Sequence, residues 1–400
     1  MKILHFADVH IGMENYSQID HKTGLATRFL DFLNSLDQIV TAVEKQKPDL
    51  IIFAGDAYKD RNPSPTHQRE FAARIKQMAN VAPTILVVGN HDLPQAMEKA
   101  NTLDIFSALK VDNVIVSHQP EILNLKTKSG PIQILTLPWI TKSQLLEKDQ
   151  FSGKSIKDIQ KLLSAKINQI VKDLISQLSP DIPAIAVAHI SSESATYGSE
   201  RSVMLGQDLT LSEKIFKNSK IKYVALGHIH KYQVLSENPP IIYPGSIDRI
   251  DFGEEHDAKG YVLVELDGRT KFEFIPIKTR PFITLNLDLR NAADYEKEIK
   301  KQIAKEKITG AVVRARVKLA NDLENRLTDA DIRRHLTLAH FVASISFDTP
   351  ERRKISEVKY FEPLSSPIDT LDEYLKFKKF PKNRRQKLKE YAEKIIADLE

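Results

Sequence analysis

No cysteine occurs anywhere in this 400-residue chain. That excludes disulfides, thiolate zinc sites and cysteine nucleophiles, so any metal must be held by oxygen and imidazole ligands. Long apolar runs are missing too. The longest are fragments such as Ala184 to Ala188, far short of what spans a bilayer. Near the N-terminus Asp8 and His10 interrupt any signal-peptide core. These absences lead us to expect a soluble, cytoplasmic protein with no membrane attachment. Tryptophan is nearly absent, and the single copy, Trp139, suits a core or edge position better than a base-stacking platform.

What is present is ample for folding. Hydrophobic residues make up 42% and charged residues 28%, enough to bury and enough to stay soluble. A chain of 400 residues exceeds one ordinary core and suggests two or three domains. The net charge of +5 is a mild bias toward polyanions that proves nothing alone.

From Met1 to about Arg280 one device recurs: a short apolar run ends abruptly in a cluster of His, Asp or Gly. Lys2 to Ala7 leads into Asp8-Val9-His10, Asp49 to Ala54 into Gly55-Asp56, and Thr84 to Val88 into Gly89-Asn90-His91-Asp92. Pro183 to Ala188 leads into His189, Tyr223 to Leu226 into Gly227-His228-Ile229-His230, and Pro240 to Tyr243 into Pro244-Gly245-Ser246. Such runs read as buried strands. Helical patterns lie between them, over Leu25 to Lys47, Thr66 to Ala79 and Ser155 to Leu178. Alternation of this kind argues an α/β fold with its site where strand ends meet.

Asp8, His10, Asp56, Asn90, His91, His189, His228 and His230 all fall at those strand ends. A lone strand-end His is more often structural. Five of them in register with Asp and Asn form a set that suits Mn²⁺, Fe²⁺ or Zn²⁺. Two close cations need a bridging carboxylate, and Asp56 is our choice. One ion then takes Asp8, His10, Asp56 and His230, the other Asp56, Asn90, His189 and His228. Such a pair activates water and neutralises charge on a phosphoryl oxygen. His91 is left to protonate the leaving alkoxide or steady the transition state.

These motifs resemble the five phosphoesterase motifs of the calcineurin-like metallophosphoesterases. Within that superfamily the chain most resembles the SbcD-type subunit of the SbcCD DNA-repair nuclease. Further support comes from Met1 to Gly12, the stretch Gly-Asp-Ala-Tyr-Lys-Asp-Arg-Asn-Pro from Gly55, and Pro244-Gly245-Ser246. Arg249, Asp251-Phe252-Gly253-Glu254 and Lys259-Gly260 complete it. The likeness is strong over roughly the first 280 residues and a matter of layout beyond. It implies a two-sheet sandwich flanked by helices, and two metal ions, Mn²⁺ first with Mg²⁺ or Fe²⁺ as substitutes. It also implies DNA exonuclease and endonuclease activity, a homodimer and nucleoid association. Relatives often carry Asp or His three residues after the bridging Asp, paired with the His of the Asn-His motif. Here Lys59 stands there with Asp60 beside it, so either Asp60 substitutes or something else orients His91.

The expected organisation is a metallophosphoesterase domain over 1–280, then a small α+β capping domain over 281–349. In the latter Phe282 to Leu289, Ala311 to Leu319 and Phe341 to Phe347 read as strands, with helices over Ala292 to Lys305 and Thr328 to Leu338. A linker over 350–367 leads to a helical pair over 368–400. The run from Lys376 to Lys389 has eight Lys or Arg and no acidic residue. An apolar stripe accompanies it: Leu371, Tyr374, Leu375 and Phe377, then Leu388, Tyr391, Ile395 and Leu399. A pair too small for its own core ordinarily needs a partner surface, and the resemblance supplies an SbcC-type ATPase. Arg61, Asn62, Tyr197, Arg201 and Arg249 flank the motifs and are candidates to hold DNA, although a solvated loop is the plainer reading of each. His5, His21, His67, His118, His256, His335 and His340 lack the strand-end context and read as structural or exposed. Two other readings compete with a DNA nuclease. A phosphoesterase for nucleotides or cyclic nucleotides would need little beyond the first domain, and a non-catalytic scaffold would be expected to have lost some of the eight site residues.

Overall fold

Side chains along the first strand, Lys2–Phe6, alternate between two hydrophobic cores. Ile3 and Ala7 enter one, Leu4 and Phe6 the other. The neighbouring strands repeat this, with Leu50, Ile52, Ile85 and Val87 on one side and Ile51, Phe53 and Leu86 on the other. A two-residue period with both faces apolar marks a sheet covered on both sides. The computed structural model describes residues 1–94, 100–145, 155–198, 210–320, 327–348, 367–377 and 380–397. Lys2–Phe6, Leu50–Phe53, Thr84–Val87 and Val114–Ser117 run parallel, and Gly260–Glu265 and Lys271–Pro276 extend the sheet antiparallel.

A second six-stranded sheet faces it. Pro240–Tyr243, Ile221–Gly227, Ala184–His189 and Gly130–Leu137 are parallel, edged by antiparallel Gln233–Glu237 and Glu121–Thr127. The two sheets share an apolar interior of Ile3, Ile52, Val87, Ile134, Ile185, Val187, Tyr223 and Ala225. Helices Thr27–Gln46 and Pro65–Ala79 cover the outer face of the first sheet, and Ile156–Gln177 that of the second. The first buries Phe29, Phe32, Leu33, Leu36, Ile39, Val40 and Val43, a stripe at helical spacing, and ends where Lys47 turns left-handed. Ser64 and Ser155 cap the other two by accepting from His67 N and Asp158 N. This is the two-sheet sandwich that the motifs imply.

Phe282–Asp288, Val312–Lys318 and Phe341–Asp348 form a third sheet, all parallel, with helices Tyr295–Ile303 and Asp329–Arg333 between the strands. The second helix is shorter than its sequence pattern, because tight turns after Arg333 carry Leu336 into the local core. This module meets the sandwich through Phe252, Phe282 and Val312, with Tyr16 and Phe341 packed around them. Arg280 adds a two-pronged contact to Asp31 at 2.6 and 2.7 Å. Farther on, helices Pro367–Phe377 and Lys382–Ala397 pack against each other. Asp372 draws in Lys376 at 2.7 Å, Arg385 at 3.7 Å and Lys389 at 4.0 Å, so part of the basic run fastens the hairpin. Most of the linker, Leu399 and the side chains of Phe377 and Ile395 lie outside the described residues. Among the described residues no helix is long and apolar enough to cross a membrane.

Candidate metal centre

The parallel strands of both sheets deliver their C-terminal ends to one place. There the chain turns at once, and Asp8, His10, Asp56 and His228 take left-handed backbone angles, with φ of 52°, 46°, 63° and 102°. Each such non-glycine residue costs about 1–2 kcal/mol, a strain that clusters where surroundings fix a functional side chain. The surroundings here are explicit. Asp8 N donates to Gly55 O at 2.9 Å, and Val9 N to Asp56 O at 2.9 Å. His228 N donates to both Asp8 carboxylate oxygens, at 3.0 and 3.1 Å. Two motif glycines are needed for close approach: a Cβ on Gly89 would lie 2.2 Å from Asp56 Oδ1, and one on Gly227 2.0 Å from Ala54 O.

Ligand-type atoms converge in two groups. His10 Nε2 and His230 Nε2 stand 3.0 Å apart, and the side chains of Asp8, His10 and His230 offer atoms within 4.8 Å of one another. Two imidazole nitrogens so close, facing each other, have the spacing of neighbours on one cation with bonds of about 2.0–2.1 Å. In the second group Asn90 Oδ1 lies 3.0 Å from His189 Nε2 and 2.9 Å from His228 Nδ1. Asp56 Oδ2 sits between the groups, 3.7 Å from His10 Nε2 and 3.4 Å from His189 Nε2. Its other oxygen accepts the His91 backbone N–H at 2.9 Å. All-oxygen-and-imidazole donors in this arrangement fit divalent cations.

Charge in the centre is unevenly shared. Burial alone would raise the Asp56 carboxyl, but His189, His91 and His10 around it hold it well below the usual carboxylate range. Burial opposes a charge on His189 as well, yet the Asp56 and Asp8 carboxylates pull it up to about 9. Asp8 is pushed up to about 7, chiefly by burial. His10 falls well below its ordinary value because it is buried, which leaves its nitrogen lone pair available. His189 and Asp56 thus face each other as an ion pair, Nε2 to Oδ2 at 3.4 Å.

Outer groups fix each ring. His189 Nδ1 donates to Ala54 O at 2.7 Å, turning Nε2 toward Asn90 and Asp56. His230 Nδ1 is 2.9 Å from Glu254 Oε1, so Nε2 faces His10. His91 Nδ1 donates to the backbone carbonyl of Lys59 at 2.6 Å. That answers the question raised by Lys59: its main-chain oxygen, not the side chain of Asp60, meets His91 Nδ1. Asp92, wholly buried, accepts from Asp56 N at 2.9 Å, Ala57 N at 3.0 Å and Gly89 N at 2.9 Å. Trp139 packs its ring 4.8 Å from that of His228 and 6.0 Å from that of His189.

Sequence reasoning did not give Glu254, Asp92 or Trp139 a role in the centre. The first two stand inside the quoted motif strings, Asp92 directly after His91 and Glu254 at the end of Asp251-Phe252-Gly253-Glu254, and that placement was the available signal; Trp139 carried none. Arg249 corrects an expectation. Its guanidinium donates to the carbonyls of Glu254, Glu255, Arg280 and Asp257 and to the Thr279 hydroxyl, so it is engaged within the protein where a free loop side chain was expected. Tyr197 is also turned to structure, its hydroxyl donating to Ser192 O at 2.7 Å and its ring lying on the second sheet's outer core. Arg61 and Asn62 are exposed in the loop after Asp56, and Arg201 lies outside the described residues. His5 is buried between the sheets with Nδ1 2.8 Å from the Tyr223 hydroxyl.

A sandwich with convergent His, Asp and Asn at its strand ends defines a metal-dependent phosphoesterase. The chain belongs to the calcineurin-like phosphoesterase family, whose profile matches residues 1–232. It is 26% identical over 286 residues to the SbcD subunit of nuclease SbcCD from Staphylococcus epidermidis, across 70% of each protein. Among solved structures, a dimetal phosphatase from Danio rerio aligns over 68% of this chain and 98% of its own, at 9% identity and a TM-score of 0.38. A Thermus thermophilus protein does so over 68% and 98%, at 14% identity and a TM-score of 0.36.

Proposed function

We propose that the chain is the nuclease subunit of an SbcCD-type DNA repair complex, cleaving phosphodiesters at duplex ends, hairpins and single strands. The observation that carries the two-cation reading is the single Asp56 oxygen lying between His10 Nε2 and His189 Nε2, 3.7 and 3.4 Å away. Asp56 would hold both ions, with Asp8, His10 and His230 completing one set and Asn90, His189 and His228 the other. When bound, two divalent cations, Mn²⁺ in this reading, activate the attacking water and offset charge on the phosphoryl oxygens.

The remaining work falls to the protein's own groups. His91 Nδ1–H is committed to Lys59 O, so a protonated His91 would give its Nε2 proton to the departing alkoxide oxygen and be left as the neutral Nδ1–H ring. Trp139 would pack against the His189 and His228 rings and limit their movement. Arg61 and Asn62, exposed beside the centre, are suited to the phosphate backbone. The three-stranded module would position DNA over the centre. The C-terminal hairpin would dock on an SbcC-type ATPase in the cytoplasm, through Leu388 and Tyr391 among others.

DNA as substrate is supported by the likeness to a protein named as a nuclease subunit and by the basic run in the hairpin. The test is digestion of end-labelled duplex and hairpin DNA with Mn²⁺, by the chain alone and with the ATPase. Cleavage of small chromogenic phosphodiesters without any attack on duplex ends or hairpins would favour a nucleotide phosphoesterase instead.

A further inference from the structure

We infer that Glu254 is a positioning residue for His230, and that docking of the three-stranded module on the turn carrying Glu254 sets how tightly the Asp8–His10–His230 group holds its cation. This rests on the ligand assignment proposed above. The turn spans Phe252–Glu254, and Glu254 contacts the sandwich while Phe252 and the following Glu255 contact the module. Glu254 is fully buried and points into the sandwich, where Oε1 meets His230 Nδ1 at 2.9 Å and Oε2 meets Lys259 Nζ at 2.6 Å. Lys259 Nζ in turn donates to His230 O at 3.0 Å and Ser246 Oγ at 2.8 Å. Both the ring and the main chain of His230 are therefore held by one buried ion pair.

The neighbours of Glu254 face the module. The Phe252 ring lies 5.0 Å from that of Phe282 and 5.7 Å from that of Tyr16, with the Arg314 guanidinium 4.5 Å above it. The Glu255 carboxylate accepts from Thr284 N at 2.6 Å and from the Thr284 hydroxyl. Phe282, Thr284 and Arg314 all belong to the third sheet. The turn itself has little freedom: Asp251 caps it by accepting from Gly253 N at 2.6 Å, and Arg249 Nε donates to Glu254 O and Glu255 O, each at 3.2 Å. A shift of the module that drags Phe252 and Glu255 must also drag Glu254, and with it the His230 ring.

A buried Glu–Lys pair could serve folding alone, so the test must separate one cation site from the other. Mn²⁺ is titrated calorimetrically into the full chain and its variants, with circular dichroism to verify folding. Wild type is expected to bind two ions, Asp56→Ala to lose both, and His230→Ala to lose one. If wild type binds fewer than two, or His230→Ala keeps both, the ligand assignment falls and this inference with it. Given those controls, Glu254→Gln is expected to weaken one site by about 10- to 100-fold and spare the other, the usual effect of losing a group that orients a metal-bound imidazole. Phe252→Leu and Glu255→Gln leave the Glu254–Lys259 pair chemically intact and should weaken the same site about 10-fold. Equal weakening of both sites by Glu254→Gln, or of neither, overturns the positioning role. Unchanged affinity in Phe252→Leu and Glu255→Gln overturns the link to the module.

Discussion

Asp92→Ala is expected to be among the most destabilising single substitutions in the sandwich. Its carboxylate accepts from three buried main-chain donors, Asp56 N, Ala57 N and Gly89 N, and ties the second and third strand-end loops together. Leaving one such donor unsatisfied costs about 1–3 kcal/mol, so three give on the order of 3–9 kcal/mol. Part of this is offset. Burial and the nearby Asp56 charge push the Asp92 carboxyl up to about 6, so the native state already bears a buried charge it disfavours. A net loss of about 3–5 kcal/mol follows, a large share of the roughly 5–15 kcal/mol that holds a domain folded. Asp92→Asn should cost less. Its oxygen can sit where Oδ2 is and keep Asp56 N and Gly89 N, while its amide faces Ala57 N and satisfies nothing. The sign of the pH effect is fixed as well. A carboxyl raised from 3.8 to about 6 binds its proton earlier in the native state, so wild type gains on the Asn variant as pH falls through 6 toward 4. Urea unfolding of metal-free protein, followed by circular dichroism at pH 8 and pH 5, measures all three. An Ala variant unfolding at the wild-type midpoint would refute the brace.

Asp56→Ala should lose both cations and Asp8→Ala chiefly one; equal metal content in the two purified variants would overturn the shared role of Asp56. His91→Ala should keep both cations yet lose about 10²–10⁴-fold in turnover, as expected for a proton donor, and a metal-free variant would make His91 a ligand instead. His5 is held neutral by burial, its pKa lowered to about 3. The unfolded chain therefore binds a proton there between pH 6.5 and 3 that the native state does not, and stability is lost as pH falls through that window. His5→Phe should flatten this acid limb in unfolding curves taken from pH 7 to 4. Replacing Leu388 and Tyr391 with Asp should abolish co-purification with the SbcC-type ATPase, because unpaired charge in a desolvated contact is strongly unfavourable. Retained co-purification of the folded variant would point elsewhere for docking.

The strands that carry the centre were legible because they are parallel and buried on both faces, giving unbroken runs such as Leu50–Phe53 and Ala184–His189 that stop at a polar cluster. The antiparallel edges were not. Glu121–Thr127, Gln233–Glu237 and Lys271–Pro276 are half exposed, mix charged with apolar residues, and end in ordinary turns. A similar division runs through the site. Ligand types at strand ends are chemically conspicuous, whereas a main-chain acceptor such as Lys59 O has no side-chain signature at all. Arg249 misled for a related reason: a loop arginine looks free in sequence, and only packing shows that carbonyls from two segments, 254–257 and 280, have claimed it.

The placement of the centre across two sheets explains why its residues tolerate strain. Each ligand group draws from both: Asp8 and His10 with His230, and Asp56 and Asn90 with His189 and His228. Main-chain bonds cross at the same level, His228 N to the Asp8 carboxylate and His189 Nδ1 to Ala54 O. Behind them lies an apolar interior of Ile, Val, Ala and Leu side chains whose close packing resists sliding of one sheet over the other. The left-handed angles at Asp8, His10 and His228 are tied across the two sheets, by His228 N to the Asp8 carboxylate and by the 3.0 Å approach of His10 Nε2 to His230 Nε2. The aim of these side chains is thus set largely by the sandwich itself. The exception is His230, whose aim comes from a turn that also answers to the third sheet. In a centre otherwise fixed by its two walls, that is the ligand a moving module could reach.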